Sequence, residues 1–109
     1  VLVLTEEEKR EIRKEFAEVA NMPPGKLERW LETDESKAVG DGDDVSHRAG
    51  QRIVELKRTR MDQLIEGDYE QMQEITQYLN RRLAKRPRGD LRESPWRRTL
   101  MNWGHDPLL

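Results

Sequence analysis

The sequence predicts an all-α fold, a small bundle of four to five helices forming one domain over residues 1–109. Three observations carry that prediction. Apolar residues recur at the 3.6-residue helical period in several segments. Capping and helix-breaking residues stand where those segments begin and end. Apart from Val1–Leu4, no stretch alternates apolar and polar residues as a half-buried strand would.

The first helix follows from Thr5 and Glu8, spaced as a capping box, with Glu6, Glu7 and Glu8 matching the positive end of the helix dipole. Ile12, Phe16, Val19 and Ala20 share its apolar face, and Pro23-Pro24 ends it. A short second helix, Pro24 to about Glu32, places Leu27, Trp30 and Leu31 on one stripe. Residues 33–44 read as an acidic loop ending in Asp41-Gly42-Asp43-Asp44. The third helix is expected from about Ser46 to Met61, with Ala49, Ile53 and Leu56 on its apolar face. Lys57 and Arg60 interrupt that face, so either they snorkel or the helix loosens near Arg60.

The fourth helix is expected from Asp68 to Arg86, before Pro87, with Asp68 and Gln71 as a capping pair. Its stripe is Met72, Ile75, Leu79 and Leu83. A last short helix starts at Ser94-Pro95, a favourable N-cap and first-turn pair, and carries Trp96, Leu100 and Trp103 on one side. The segment 94–109 is expected to pack on the core through those tryptophans.

Composition narrows the function classes. With 34% hydrophobic and 39% charged residues the chain lies at the polar edge of globular sequences, and the periodic apolar stripes decide against disorder. Cysteine is absent, which excludes disulfide scaffolds, thiol catalysis and zinc ribbons. No apolar run is long enough to span a bilayer, so no membrane role is expected. Val1–Leu4 is too short for a signal-peptide core and lacks a basic flank. The expected location is cytoplasmic, nucleoid or nuclear, not secreted. The net charge of −2 conceals a division: residues 1–44 carry 7 basic and 13 acidic residues, and residues 45–109 carry 13 and 9.

The residues 95–108, Pro-Trp-Arg-Arg-Thr-Leu-Met-Asn-Trp-Gly-His-Asp-Pro-Leu, resemble the closing signature of a domain-of-unknown-function family of small microbial proteins. Asn21-Met22 through Leu27-Glu28-Arg29-Trp30-Leu31 is similar to its first motif. Ser46 to Glu55 is similar to its central one, and Leu83 to Pro87 completes the likeness. The resemblance implies no activity. It does imply nucleic-acid binding as an expectation, because some members carry a loose DNA-binding label. The central motif of that family has a paired arginine where this chain has Gln51-Arg52, which removes one possible phosphate contact.

The strongest functional signal is the basic run Arg81, Arg82, Lys85, Arg86 and Arg88, with Arg48 and Arg52 as a second group. Arginine and lysine neutralise phosphates, arginine bidentately. Trp96 and Tyr78 are near enough in sequence to stack on bases. The plainer explanation is a helix end whose cations suit its dipole. A protein partner or a second copy of the chain is the alternative, through complementary charge or through exposed apolar residues such as Met72 or Tyr69. The first two helices have the outline of a helix-turn-helix. The second, however, offers Lys26, Glu28, Arg29 and Glu32 within an acidic half, so a plain corner is expected. His47 and His105 are the only histidines, too few for a metal site with these neighbours, and His105 is expected to cap the last helix or to fix the tail by a hydrogen bond. The expectation is a non-enzymatic binding module without metal or cofactor.

Overall fold

The computed structural model describes residues 3–39 and 45–109. Six α-helices occur among them: α1 (Glu6–Val19), α2 (Pro24–Leu31), α3 (Asp34–Lys37), α4 (Val45–Arg58), α5 (Glu66–Leu83) and α6 (Pro95–Asn102). A 3-10 turn at Met61–Gln63 joins α4 to α5. The fold is all-helical, as the periodicity predicts, and no described helix is long and apolar enough to cross a membrane.

The helices form two pairs. Leu4 meets Glu66 and Arg13 meets the Tyr69 hydroxyl, so α1 and α5 run side by side in one direction. Arg58 meets Glu28 while His47 meets the Leu31 carbonyl, so α2 and α4 run in opposite directions. Helix α6 lies across α2, α3 and α4. The core between the pairs contains Phe16, Leu27, Ile53, Met72, Leu79 and Leu100, all buried. Tyr69 and Met72 are among the most buried side chains, at 2% and 3% exposure, so they cannot supply the exposed patch expected of them.

Several boundaries differ from the sequence expectation for identifiable reasons. Part of the acidic loop is a capped turn: the Thr33 hydroxyl accepts the Ser36 N–H and starts α3. Asp41–Asp44 lies outside the described residues. Helix α4 stops at Arg58, where the Thr59 hydroxyl takes the Glu55 carbonyl and the Thr59 N–H turns back to Leu56. Lys57 nonetheless stays half-buried, its ammonium 5.7 Å from the Phe16 ring centroid, and burial lowers its pKa. Thus the lysine snorkels and the helix also ends early. Helix α5 begins at Glu66, not Asp68. Asp68 accepts the Ile65 N–H from three residues inside, holding the first turn that includes Gly67. It ends at Leu83 because Ala84 and Lys85 close the last carbonyls and Pro87 disfavours helical geometry at Arg86.

The centre of the packing is Asn102, fully buried at the end of α6. Its carbonyl oxygen accepts the Trp30 indole N–H at 2.7 Å and the Ser36 hydroxyl at 2.6 Å. Its amide donates to the Ser36 carbonyl and the Ser46 hydroxyl, both at 3.1 Å. All four hydrogen-bonding capacities of the side chain are used, and four helices meet through them. Gly50 makes this approach possible. A Cβ there would lie 2.3 Å from the backbone carbonyl oxygen of Asn102 and 2.7 Å from a Leu31 methyl.

Two stability measurements follow. Asn102→Ala strands four buried polar groups, so urea unfolding should show a loss of about 3 kcal/mol or more. An exposed helical glycine gains about 1 kcal/mol on conversion to alanine. Gly50→Ala should do the reverse and lose about 2 kcal/mol, because backbone and Leu31 must move apart.

Candidate functional site

The tail motif comes first, because its polar residues turn out to be occupied. Helix α6 ends in Gly104 at φ +82°, a left-handed position that suits glycine, with Ile53 3.1 Å from where a Cβ would stand. The Gly104 carbonyl accepts the Met22 N–H. His105 Nδ1 bonds the Val19 carbonyl, one of the open acceptors at the end of α1. Asn21 and Asp106 exchange two hydrogen bonds, side chain to backbone in both directions. Arg97 clasps the Asp106 carboxylate with two contacts of 3.1 Å. His105 and Asp106 are therefore two separate anchors of the tail on the α1–α2 corner. They face different partners. His47 likewise closes the end of α2 through the Leu31 carbonyl.

The cations then sort by partner. Arg52 is engaged by Asp68, by Glu55 at 3.1 Å and by Gln71 at 2.7 Å, so it braces α4 against α5. Arg58 pairs with Glu28, Arg92 with Asp90, Arg97 with Asp106 and Arg98 with Glu93. Among the described residues, Arg81, Lys85, Arg86 and Arg88 have no carboxylate within ion-pair distance, and the run 81–88 itself contains none. All four are exposed.

Arg82 is the half-buried member of the run. Its guanidinium lies 6.0 Å from the Tyr78 ring centroid, and its carbonyl accepts the Trp96 indole N–H at 2.9 Å. Arg86 stands 6.0 Å from the same Trp96 ring. Trp96 thus fixes the start of α6 against the end of α5 and holds the two arginines beside it. Helix-dipole compensation accounts for Arg81 and Arg82, which lie in the last turn. Arg86 and Arg88 lie beyond the helix, where that effect has faded.

The structure also joins groups that are distant in sequence. Arg48 and Arg52 of α4 and Arg81 of α5 line one groove, with Ala49, Ile75 and Trp103 in its floor. Tyr78 and Trp103 stack with centroids 4.1 Å apart, and both rings line the groove. Arg82 and Arg98 line a second groove on the other side of that stack. Sequence spacing alone gave no sign that Trp103 would reach Tyr78, since the two belong to elements joined by a non-helical turn at 84–94.

Residues 15–101 match the family described as Protein of unknown function (DUF3140), and the chain belongs to that family. The match ends one residue before Asn102, so the tail anchors at 104–106 lie beyond it. No curated protein matches the chain, and no solved structure does.

The Asp106 clasp has a pH signature. Burial alone would raise its carboxyl, but Arg97, the Leu108 N–H and the nearby charge of Lys26 together hold it below the ordinary carboxylate value. A carboxylate depressed in the folded state stabilises at pH above its unfolded value, and that contribution is lost as pH falls through the folded value. The Tm difference between the native protein and Asp106→Asn should therefore be largest near neutrality and shrink below about pH 4. Thermal melts across pH 2–7 measure it; a constant difference would mean that the clasp does not titrate with folding.

Proposed function

We propose that this protein is a non-enzymatic nucleic-acid-binding module of low sequence specificity. Its contact surface is the exposed cation run Arg81, Lys85, Arg86 and Arg88, with Arg82 at its base and Arg48 alongside. The observation that carries the reading is the contrast in pairing. The arginines that follow, at 92, 97 and 98, each hold a carboxylate, whereas the run at 81–88 is left facing solvent without one. Concentrated unpaired positive charge on a chain of net charge −2 suits a polyanion and little else. Arg52 is spent on Asp68 and serves the fold, so it is outside the contact set.

Low specificity follows from the kind of contact. Arginine and lysine at a helix end and in a turn reach phosphates, which carry no sequence information. Helix α2, the nominal recognition helix of the first two, packs on α4, its Glu28 is held by Arg58 of that helix, and the exposed Glu32 follows at its end, an arrangement poorly suited to a phosphate backbone.

A protein-interaction role is the second reading. Met61 and Ile65 are exposed at 63% and 67% on the α4–α5 connection, an apolar pair away from the basic end.

The test is fluorescence anisotropy of labelled DNA titrated at several salt concentrations. The expected result is binding that weakens linearly on a log–log salt plot. In Lys85→Glu/Arg86→Glu/Arg88→Glu the slope on duplex should fall by about 3. Folding should be unaffected, since all three side chains are exposed. Undiminished affinity in the triple variant would remove the site assignment, and binding that ignores salt would remove the phosphate mechanism.

A further inference from the structure

We infer that the groove between α4 and α5 receives an unpaired base, so that the protein binds single strands in preference to paired ones. The inference rests on the nucleic-acid reading above and names the form of the ligand.

The groove is held open at both ends. Near one end Arg52 bridges from α4 to Gln71 and Asp68 of α5. At the other, Tyr78 stacks on Trp103, which arrives from the end of α6. From Gln71 to Arg81 the α5 wall is about 15 Å long, room for one or two nucleotides. Its volume, about 640 Å³, falls in the range of small-ligand pockets.

Its chemistry is divided in a way that fits a nucleotide and not a phosphate backbone alone. The floor is apolar and aromatic, from Ala49, Ile75, Tyr78 and Trp103. Pure backbone binding would leave that floor wet and unused. The rim carries Arg48 and Arg81 for phosphate, the Gln71 amide nitrogen can donate to a base edge, and the Glu74 carboxylate can accept from one. Arg81 is also the first residue of the cation run, so a strand leaving the groove would pass directly onto Lys85, Arg86 and Arg88. The bases of an intact duplex are paired and stacked on each other and cannot enter such a cleft, whereas a single strand offers a free π-face at each nucleotide.

The experiment compares three labelled probes of equal length, about 20 nucleotides, at one low salt concentration: oligothymidylate, an abasic strand with the same number of phosphates, and a thymidine–adenine duplex. The expected result is that oligothymidylate binds roughly tenfold tighter than the abasic strand, within what a stacked base contributes. Ala49→Leu fills the groove floor with an aliphatic side chain that offers no π-face and leaves every cation in place. It should narrow the difference between oligothymidylate and the abasic strand to within about twofold. Equal binding of base-bearing and abasic strands by the native protein would overturn the inference while the phosphate reading stands, and this arm needs no variant to fold. A folded Ala49→Leu protein that keeps the native preference for oligothymidylate over the abasic strand would overturn it too. Binding of none of the three probes would remove both readings.

Discussion

The Asn102 side chain is the constraint on which the architecture depends. It has two acceptor positions and two donor hydrogens, and Trp30, Ser36 and Ser46 use all of them. In a chain with only 34% hydrophobic residues, apolar burial alone specifies helix positions weakly. A saturated polar junction is directional, and it fixes where α2, α3, α4 and α6 meet. The next residue along, Trp103, is thereby delivered to Tyr78, and both rings line the groove that Arg48 and Arg81 share. The geometry of the proposed binding groove is in this sense a consequence of a buried amide elsewhere in the molecule.

Charge is organised by the same economy. Helices α1 and α5 run in one direction, so the acidic start of α1 lies at the end of the pair opposite the cations at 81–88. Acidic residues suit helix starts and basic residues suit helix ends, so both poles are compatible with the helix dipoles. The arrangement separates charge along the molecule, and under the proposed reading it would orient the protein in the field of a polyanion with the negative end turned away. The tail arginines at 92, 97 and 98 are withdrawn from that field by their carboxylates, Arg97 most completely, against the buried Asp106.

Much of the fold was legible because its signals are local. Thr5 and Glu8 form the capping box their spacing predicts, Ser94 caps α6, and Ile12, Phe16 and Val19 are buried together. The histidine anchor of the tail was one of the two roles expected of His105, and its ring nitrogen meets the Val19 carbonyl. What was not legible depends on partners distant in sequence. Asn102 gave no periodic signal, and its partners at 30, 36 and 46 are known only from the packed structure. Arg52 looked like a free cation until Asp68 was placed across from it, and Asp68 looked like a cap until Ile65 took that position. Met72 and Tyr69 are residues that a small core could leave exposed, yet both are buried. The basic run was plain in sequence. Its meeting with Arg48 was not, because it depends on the groove that Arg48 of α4 and Arg81 of α5 line from opposite walls.

The most direct test of the account is a map of backbone amide shifts by NMR as oligothymidylate is added to isotope-labelled protein. The account predicts shifts concentrated at Arg81–Arg88, Arg48–Ala49 and Trp103, with the exposed acidic face of α1 unmoved. Shifts centred on Met61 and Ile65, or spread evenly over the surface, would contradict it.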